Sequence, residues 1–331
     1  MAKKSVLSGI QPTNQLHIGN YLGAIRNWLT MQDEYACYFM MVDLHALTLQ
    51  QDPKALAASC YFGIASYLAA GLDAKKVTLF LQSHVPAHAE LGWVLTCFSY
   101  MGELKRMTQF KDKSAKQGEN IGVGLYTYPC LMAADILLYR PHYVPVGDDQ
   151  KQHIELTRNL AERFNNRYAK NIFSVPHPFV GKVGARVMDL QNPGAKMSKS
   201  ALNSKGTLFL SDSDKQITQK IKSAVTDSGR EITSYGEASQ GLMNLLDLYA
   251  AFAEVETAEV CAEFSGKTYG VLKVALAELA VAKIAPLREE TLRLSAERGY
   301  LRGILQEGAE RAAGVARRTL AEVYETIGLL S

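Results

Sequence analysis

No apolar run in the chain reaches the roughly 20 residues that a bilayer-spanning helix needs. The first residues, MAKKSVLSGI, hold neither an apolar signal core nor an Arg- and Ser-rich amphipathic stretch, so no secretory or transit peptide is expected. Cysteine is sparse. Cys37, Cys60, Cys97, Cys130 and Cys261 are far apart, and none pair as CxxC. That spacing excludes a disulfide scaffold and offers no zinc or iron–sulfur ligand set; it fits reduced, mostly buried thiols in a cytoplasmic protein. Charge of one sign is also lacking, with 36 Lys and Arg against 33 Asp and Glu. A net charge of +3 neither requires nor excludes a nucleic-acid partner, because a local basic patch suffices. There is no internal repeat and no low-complexity segment. What remains is an ordinary globular composition, 47% hydrophobic and 21% charged, long enough for one large domain or two smaller ones.

The first half alternates strand-like and helix-like segments. Val6-Leu7-Ser8 is a predicted short strand ending at Gly9, and Tyr38 to Val42 reads as a buried parallel strand. Asp52 as N-cap and Pro53 at the first helical position open a helix that stops at Gly71. Val77 to Leu81 and Tyr143 to Val146 are further predicted strands. One helical stretch is expected over Ala87–Met107, and another, capped by Asp148 or Asp149, carries Ile154, Leu160 and Phe164. This alternation predicts an α/β fold with a Rossmann-like, doubly wound parallel sheet. From Asp214 onward helical periodicity dominates, which predicts a second, all-helical domain. Leu242, Leu245, Leu246 and Tyr249 share one helix face, and Ile304–Leu329 reads as a long amphipathic helix with Arg311, Arg317 and Arg318 on its polar side. The expected division is residues 1–190 as catalytic domain with a helical insertion, 191–205 as a loop linker, 206–285 as a helical domain, and 286–331 as C-terminal helices that pack back on the catalytic part.

Two short motifs carry chemistry. His17-Ile18-Gly19-Asn20 follows the first strand, where an open parallel sheet binds ligands. Its glycine admits close approach of a nucleotide, and its polar residues stand at a helix start that favours phosphate. By itself it could equally be a polar turn. Lys196-Met197-Ser198-Lys199-Ser200 places two lysines three apart in a loop, suited to gripping a departing pyrophosphate as its charge builds. Asp135 sits in the apolar run Met132-Ala133-Ala134-Asp135-Ile136. An unpaired carboxylate there is costly to bury, so it either pairs with Arg140, caps a local amide, or accepts a hydrogen bond from a ligand.

Together and in this order, the two motifs resemble the HIGH and KMSKS signatures of class I aminoacyl-tRNA synthetases. Ser8-Gly9-Ile10-Gln11-Pro12, Val42-Asp43-Leu44-His45-Ala46, Met107-Thr108-Gln109-Phe110-Lys111, Leu131 to Tyr139, and Val144-Pro145-Val146-Gly147-Asp148-Asp149-Gln150 resemble the bacterial-type tryptophanyl branch of that family. So does Asn20 in place of the last His of HIGH. The likeness runs through nearly the whole chain. It implies ATP-dependent activation of L-tryptophan to an adenylate and transfer to the 3′ end of tRNA(Trp), with Mg²⁺ accompanying ATP and a homodimeric assembly.

Carried over residue by residue, the resemblance makes Asp135 the acceptor of the indole N–H. Tyr128 and Gln150 hold the ends of the amino acid, and Met132, Val144, Val146, His45 and Leu7 wall the slot. Gln11, His17, Gly19, Asn20, Gly147 and Asp149 attend ATP together with Lys196, Met197, Ser198 and Lys199. Lys113 matches a phosphate-binding lysine, although Lys111 to Lys116 could be only a solvated loop. No resident metal ligands are expected. Anticodon contacts are expected in the helical domain, where Tyr235, Lys220, Lys222 and Arg230 are candidates. The chain departs from the usual pattern at His17 (often Thr), Leu7 (often aromatic), Leu44 (often Gln), Ala195 (often Lys) and Ala201 (often acidic). Three other readings compete: a tyrosyl relative, whose pocket needs more polar partners for a phenol; a non-catalytic tRNA or nucleotide binder, which should have lost part of a signature; and a small adenylyltransferase, which would lack the helical C-terminal region and the KMSKS loop.

Overall fold

The computed structural model describes residues 3–12, 16–108, 121–147, 150–179, 187–197 and 204–330. Its centre is a five-stranded parallel sheet in the order β3-β2-β1-β4-β5. The strands are β1 (Ser5–Ile10), β2 (Ala36–Met41), β3 (Thr78–Leu81), β4 (Tyr143–Pro145) and β5 (His177–Phe179). Leu7 pairs with Tyr38, Met40 with Phe80, and Val6 with Tyr143. Winding runs outward from β1 to β3, then reverses to β4 and β5. The reversal leaves a crevice beyond the carboxyl ends of β1 and β4, the ligand position of doubly wound sheets.

Period-two alternation sends the strand side chains into two cores. Val6, Phe39, Met41 and Leu79 join Trp28, Ile64 and Tyr67 on one face. Leu7, Met40 and Phe80 join Ala133, Ile136, Phe164 and Ala312 on the other. The first core continues without a break into the helical part, through Leu190, Met197, Leu208 and Ile217 to Leu245 and Ile284.

After β1, α1 (Ile18–Asn20) passes through a π-helical turn (Tyr21–Ile25) into α2 (Arg26–Met31). After β2 come the short α3 (Asp43–Ala46) and α4 (Pro53–Ala69). Asp52 caps α4 by accepting from the Ala55 N–H, and the chain leaves it through Gly71 at φ +106°. Both ends agree with the sequence expectation. The stretch expected as one helix after β3 is two, α5 (Ala87–Phe98) and α6 (Met101–Lys105). Ser99 and Tyr100 are extended, and Glu103 restarts the helix by accepting from the Tyr100 N–H. Strand β1 also continues through Gly9. The glycine is there for packing: a Cβ would meet Val42 Cγ1 at 2.8 Å.

Helices α7 (Val123–Leu137) and α8 (Lys151–Tyr168) cover the second face. The helical part holds α9 (Asp214–Lys222), α10 (Gln240–Ala253), α11 (Thr257–Phe264), α12 (Tyr269–Ala296) and α13 (Arg298–Ile327). Helix α12 bridges α4 to α9 and α10, and α13 returns to lie along β3. Helix α13 starts six residues before its expected position, and Arg311, Arg317 and Arg318 are exposed on it as expected. The short strand β5 had no expected counterpart. Among the described residues, no helix is long and apolar enough to cross a membrane.

Candidate active site

A cavity of ≈ 160 Å³ opens at the carboxyl ends of β1, β2 and β4. It suits a side chain of one or two rings rather than a whole nucleotide. Leu7, Gly9 and Gln11 line it from β1 and its exit, Met40 and Val42 from β2, Val144 and Val146 from β4, and Gln150 from the start of α8. Helix α7 crosses beneath. Tyr128, Met132 and Asp135 stand at i, i+4 and i+7, one face of that helix, and all three line the cavity. Cys130, Ala133 and Ala134 of the same helix are fully buried in the core.

Asp135 is 2% exposed, and it is not unpaired. His45 Nε2 donates to Oδ2 at 2.7 Å. Gln82 Nε2 and His88 Nδ1 each donate to Oδ1 at 2.6 Å. Burial pushes the carboxyl's pKa upward, but the neighbouring His45 and the bonds from His45 and His88 outweigh it, so Asp135 ionises well below the usual carboxylate range. The expected partner Arg140 is elsewhere. It sits at φ 45° and pairs with Glu322 at 2.6 Å.

The supporting shell was not legible in sequence. Gln82, fully buried just past β3, also accepts from the Leu44 N–H at 3.1 Å, tying Asp135 to the turn that carries His45. His88 is fully buried, and its Nε2 lies 2.8 Å from the Tyr139 hydroxyl. His153 holds the Tyr128 hydroxyl at 2.6 Å. The one available signal was position: Gln82 follows the carboxyl end of a buried strand, where ligand sites collect. Gln11 Nε2 donates to the His45 carbonyl at 2.6 Å, and the Gln150 N–H donates to the Gly147 carbonyl at 3.0 Å. Gly147 itself is exposed beside the cavity.

The two motifs meet across a common frame. His17 caps α1 with Nδ1, accepting from the Gly19 N–H at 3.0 Å, and Asn20 Oδ1 accepts from the His17 N–H at 3.1 Å. In this conformation both side chains point into the turn. The Ile18 N–H donates to the Leu208 carbonyl and the Leu210 N–H to the Leu16 carbonyl, both at 2.8 Å. The second motif begins from a closed hairpin: the Met197 N–H donates to Val187 O at 3.0 Å, and Met188 pairs with Lys196. Met197 is buried in the core, while Lys196 is exposed. Asn244 on α10 grips the hairpin, accepting from the Met188 N–H at 3.0 Å and donating to its carbonyl at 3.1 Å.

Lys113, Asp149, Ser198 and Lys199 lie outside the described residues, as does the expected cap at Asp148 or Asp149; Gln150 occupies the N-cap position of α8. Among the anticodon candidates, Lys220 is committed within the fold. It donates to Asp212 at 2.6 Å and to the Thr207 carbonyl at 2.8 Å. Lys222 and Arg230 are exposed, and Tyr235 donates to Asp247 at 2.9 Å. A second cavity, of ≈ 420 Å³ near Lys4, His142 and His177, lies at the amino ends of the strands, away from every candidate residue.

The family described as "tRNA synthetases class I (W and Y)" matches residues 2–284. A tryptophan–tRNA ligase of Caldanaerobacter subterraneus subsp. tengcongensis is 53% identical over 327 residues, covering 99% of both chains. The crystal structure of a Mycoplasma pneumoniae tryptophanyl-tRNA synthetase superposes with a TM-score of 0.92 at 38% identity, covering 99% of each. A Campylobacter jejuni tryptophanyl-tRNA synthetase, solved with ADP and tryptophan, superposes with a TM-score of 0.83 at 35% identity over 98% of this chain and 100% of that one.

Proposed function

The chain belongs to the class I tRNA synthetase family of the tryptophan and tyrosine enzymes, and from that premise we propose how its residues divide the work of a tryptophan–tRNA ligase. It activates L-tryptophan with ATP and passes the tryptophanyl group to the 3′ end of its tRNA. The observation that carries the residue assignment is Asp135, a buried carboxylate held by three donors that lines a ring-sized cavity at the sheet's switch point. Indole is a flat apolar ring with one N–H donor and no acceptor. Met132, Val144, Val146 and Leu7 supply the apolar walls, and Asp135 supplies the acceptor, with His45 beside it. A charge-assisted bond of this kind contributes roughly 1.5–3 kcal/mol, about one to two decades in affinity. Tyr128 and Gln150, which also line the cavity, take the ammonium and carboxylate ends.

With the indole held there, the tryptophan carboxylate attacks the α-phosphorus of ATP. A bond forms from carboxylate oxygen to that phosphorus, and the bond to the β-phosphate bridging oxygen breaks, releasing pyrophosphate. A hydroxyl at the tRNA 3′ end then displaces AMP. The carboxylate is already a nucleophile at neutral pH, so the protein's task is alignment and charge stabilisation. Gln11, Gly19 and Asn20, with Gly147 and Asp149, attend the nucleotide. His17 does so through its cap on α1. Lys196, Lys199 and Lys113 meet the phosphates, with Met197 as the buried root of the loop and Ser198 beside it. Mg²⁺ enters on the triphosphate, whose oxygens are the hard ligands it prefers. Residues 1–190 form the catalytic domain, 191–205 the loop, 206–285 the anticodon-reading helices, and 286–331 the returning helices.

The protein is proposed to act as a homodimer in the cytoplasm. Its support is an apolar surface where Trp93, Met101 and Val123 are 71%, 74% and 75% exposed. The Tyr126 hydroxyl donates to the Met101 carbonyl at 2.6 Å, which brings the starts of α6 and α7 together. Patches of this kind mark interfaces.

The test is amino-acid-dependent exchange of pyrophosphate into ATP, with tryptophan, tyrosine and phenylalanine, on wild type, Asp135→Ala and Lys199→Ala. Exchange is expected with tryptophan alone. Asp135→Ala should raise the tryptophan KM by about 10- to 100-fold, and Lys199→Ala should lower kcat far more than it changes that KM. Exchange with tyrosine would move the specificity, and equal losses in kcat and KM for Lys199→Ala would remove it from the pyrophosphate role.

A further inference from the structure

Asp135 does more than present a carboxylate; two of the three side chains that hold it touch no part of the cavity. Its two oxygens are not equivalent. Oδ1 accepts from both Gln82 and His88. Oδ2 accepts, among the described residues, from His45 alone. A carboxylate oxygen offers about two acceptor positions, so Oδ1 is filled and Oδ2 keeps one. Gln82 and His88 do not line the cavity, and both are fully buried. Each is fixed in turn: Gln82 Oε1 by the Leu44 N–H, and His88 Nε2 by the Tyr139 hydroxyl. An ionised carboxylate only accepts, so His88 Nδ1 carries the proton. His88 Nε2 meets the Tyr139 hydroxyl at 2.8 Å, so the hydrogen-bonded chain runs Tyr139 to His88 to Asp135. Tyr139 is buried between Tyr38 and Phe80, with ring centroids at 4.9 and 5.8 Å, so its end of the chain is packed in the core.

We propose that the Tyr139–His88 chain, together with Gln82, is a specificity-positioning device that saturates Asp135 Oδ1 and leaves a single acceptor position on Oδ2, aimed into the cavity beside His45. The inference rests on the indole reading of Asp135 and deepens it. A carboxylate with both oxygens open could rotate about χ2 and could accept from a displaced ligand donor or from water. Pinning one oxygen converts it into a single directed acceptor. The site then favours a ring whose one N–H meets Oδ2 and disfavours a ring without a donor, which leaves that position unfilled.

The experiment compares tryptophan with β-(3-benzothienyl)alanine, in which sulfur replaces the indole N–H and the shape is nearly kept. The readout is the ratio of kcat/KM for the two in pyrophosphate exchange, with the KM for ATP as a control. Wild type is expected to favour tryptophan by about 10- to 100-fold. His88→Ala is expected to collapse that ratio at least tenfold by raising the tryptophan KM, with the ATP KM unchanged. His88→Asn, whose amide N–H₂ takes the place of Nδ1, is expected to restore most of the ratio. Tyr139→Phe, which removes one oxygen and keeps the ring, is expected to give an intermediate ratio, and it carries the test if the alanine variant does not fold. Parallel loss with both substrates in folded His88→Ala, or an unchanged ratio in folded Tyr139→Phe, overturns the proposal while leaving the indole reading in place. Equal use of both substrates by wild type overturns the indole reading itself, and this inference with it.

Discussion

The C-terminal helix offers a test in which one substitution should have opposite signs at two positions five residues apart. Helix α13 lies along the edge strand β3, and the contact is so close that a Cβ built on Gly308 would overlap the Leu79 carbonyl. Gly303, one and a half turns earlier, is exposed and has nothing within 4 Å of its Cβ position. In a helix interior, Gly→Ala by itself stabilises by about 0.8–1 kcal/mol. At Gly303 that gain should appear undiminished. At Gly308 the new methyl meets backbone rather than a flexible side chain, so either the helix moves off the strand or β3 shifts. Overpacking of this kind costs about 1–3 kcal/mol, and the rigidity of the neighbour puts it near the upper end. Net of propensity, Gly308→Ala should destabilise by about 2 kcal/mol. At about 2 °C per kcal/mol for a chain of this size, Tm should fall by about 4 °C, whereas Gly303→Ala should raise it by about 2 °C. The assay is thermal unfolding followed by circular dichroism at matched concentration. A Tm for Gly308→Ala at or above wild type would refute the packing argument. A lowered Tm for Gly303→Ala would refute the propensity argument instead.

Two other outcomes follow from the same geometry. Trp93→Glu should shift the sedimenting species from dimer to monomer, and Cys97, one turn along α5 and exposed in the isolated chain, should then be alkylated faster than in wild type; a Trp93→Glu protein that stays dimeric moves the interface elsewhere. Glu103, held by Arg163 in a paired contact at 2.5 and 3.1 Å, has its pKa lowered chiefly by that hydrogen bond. Its folded pKa is below its unfolded one, so its contribution is present above about pH 4.3 and lost as pH falls through the folded value. Wild type should therefore exceed Glu103→Gln in stability by about 1 kcal/mol at pH 7, with the gap narrowing below pH 4; a gap that widens on acidification would reverse the assignment.

The fold was legible wherever local chemistry and periodicity agreed. Asp52-Pro53 and Gly71 bound α4 because an N-cap, a fixed φ and a left-handed residue each act within a few residues. The parallel sheet followed from strand–helix alternation, since parallel neighbours need crossovers. The misses have non-local causes. The break between α5 and α6 depends on Glu103, whose geometry is set by Arg163, 60 residues away on α8. Gly9 looked like a strand end, yet the Val42 side chain two strand positions away demands the missing Cβ. Strand β5 is three residues long and is defined by pairing with β4 rather than by its own pattern.

The site divides along the same line. Tyr128, Met132 and Asp135 were assigned to the slot by resemblance to the family, and the structure sets them on one face of α7 lining the cavity. What spacing could not supply is the state of Asp135. A buried carboxylate in an apolar helix presents a sharp choice in sequence: a partner such as Arg140, or a ligand. The structure resolves it differently, because neutral-capable donors from three other segments, at residues 45, 82 and 88, satisfy the charge without a permanent cation and still leave one acceptor position. An arginine paired in a fork would have taken one position on each oxygen and left an open one on both, with no single direction for a ring N–H. Two histidines and an amide place two donors on Oδ1 and one on Oδ2, and that uneven division is what keeps one position available to substrate.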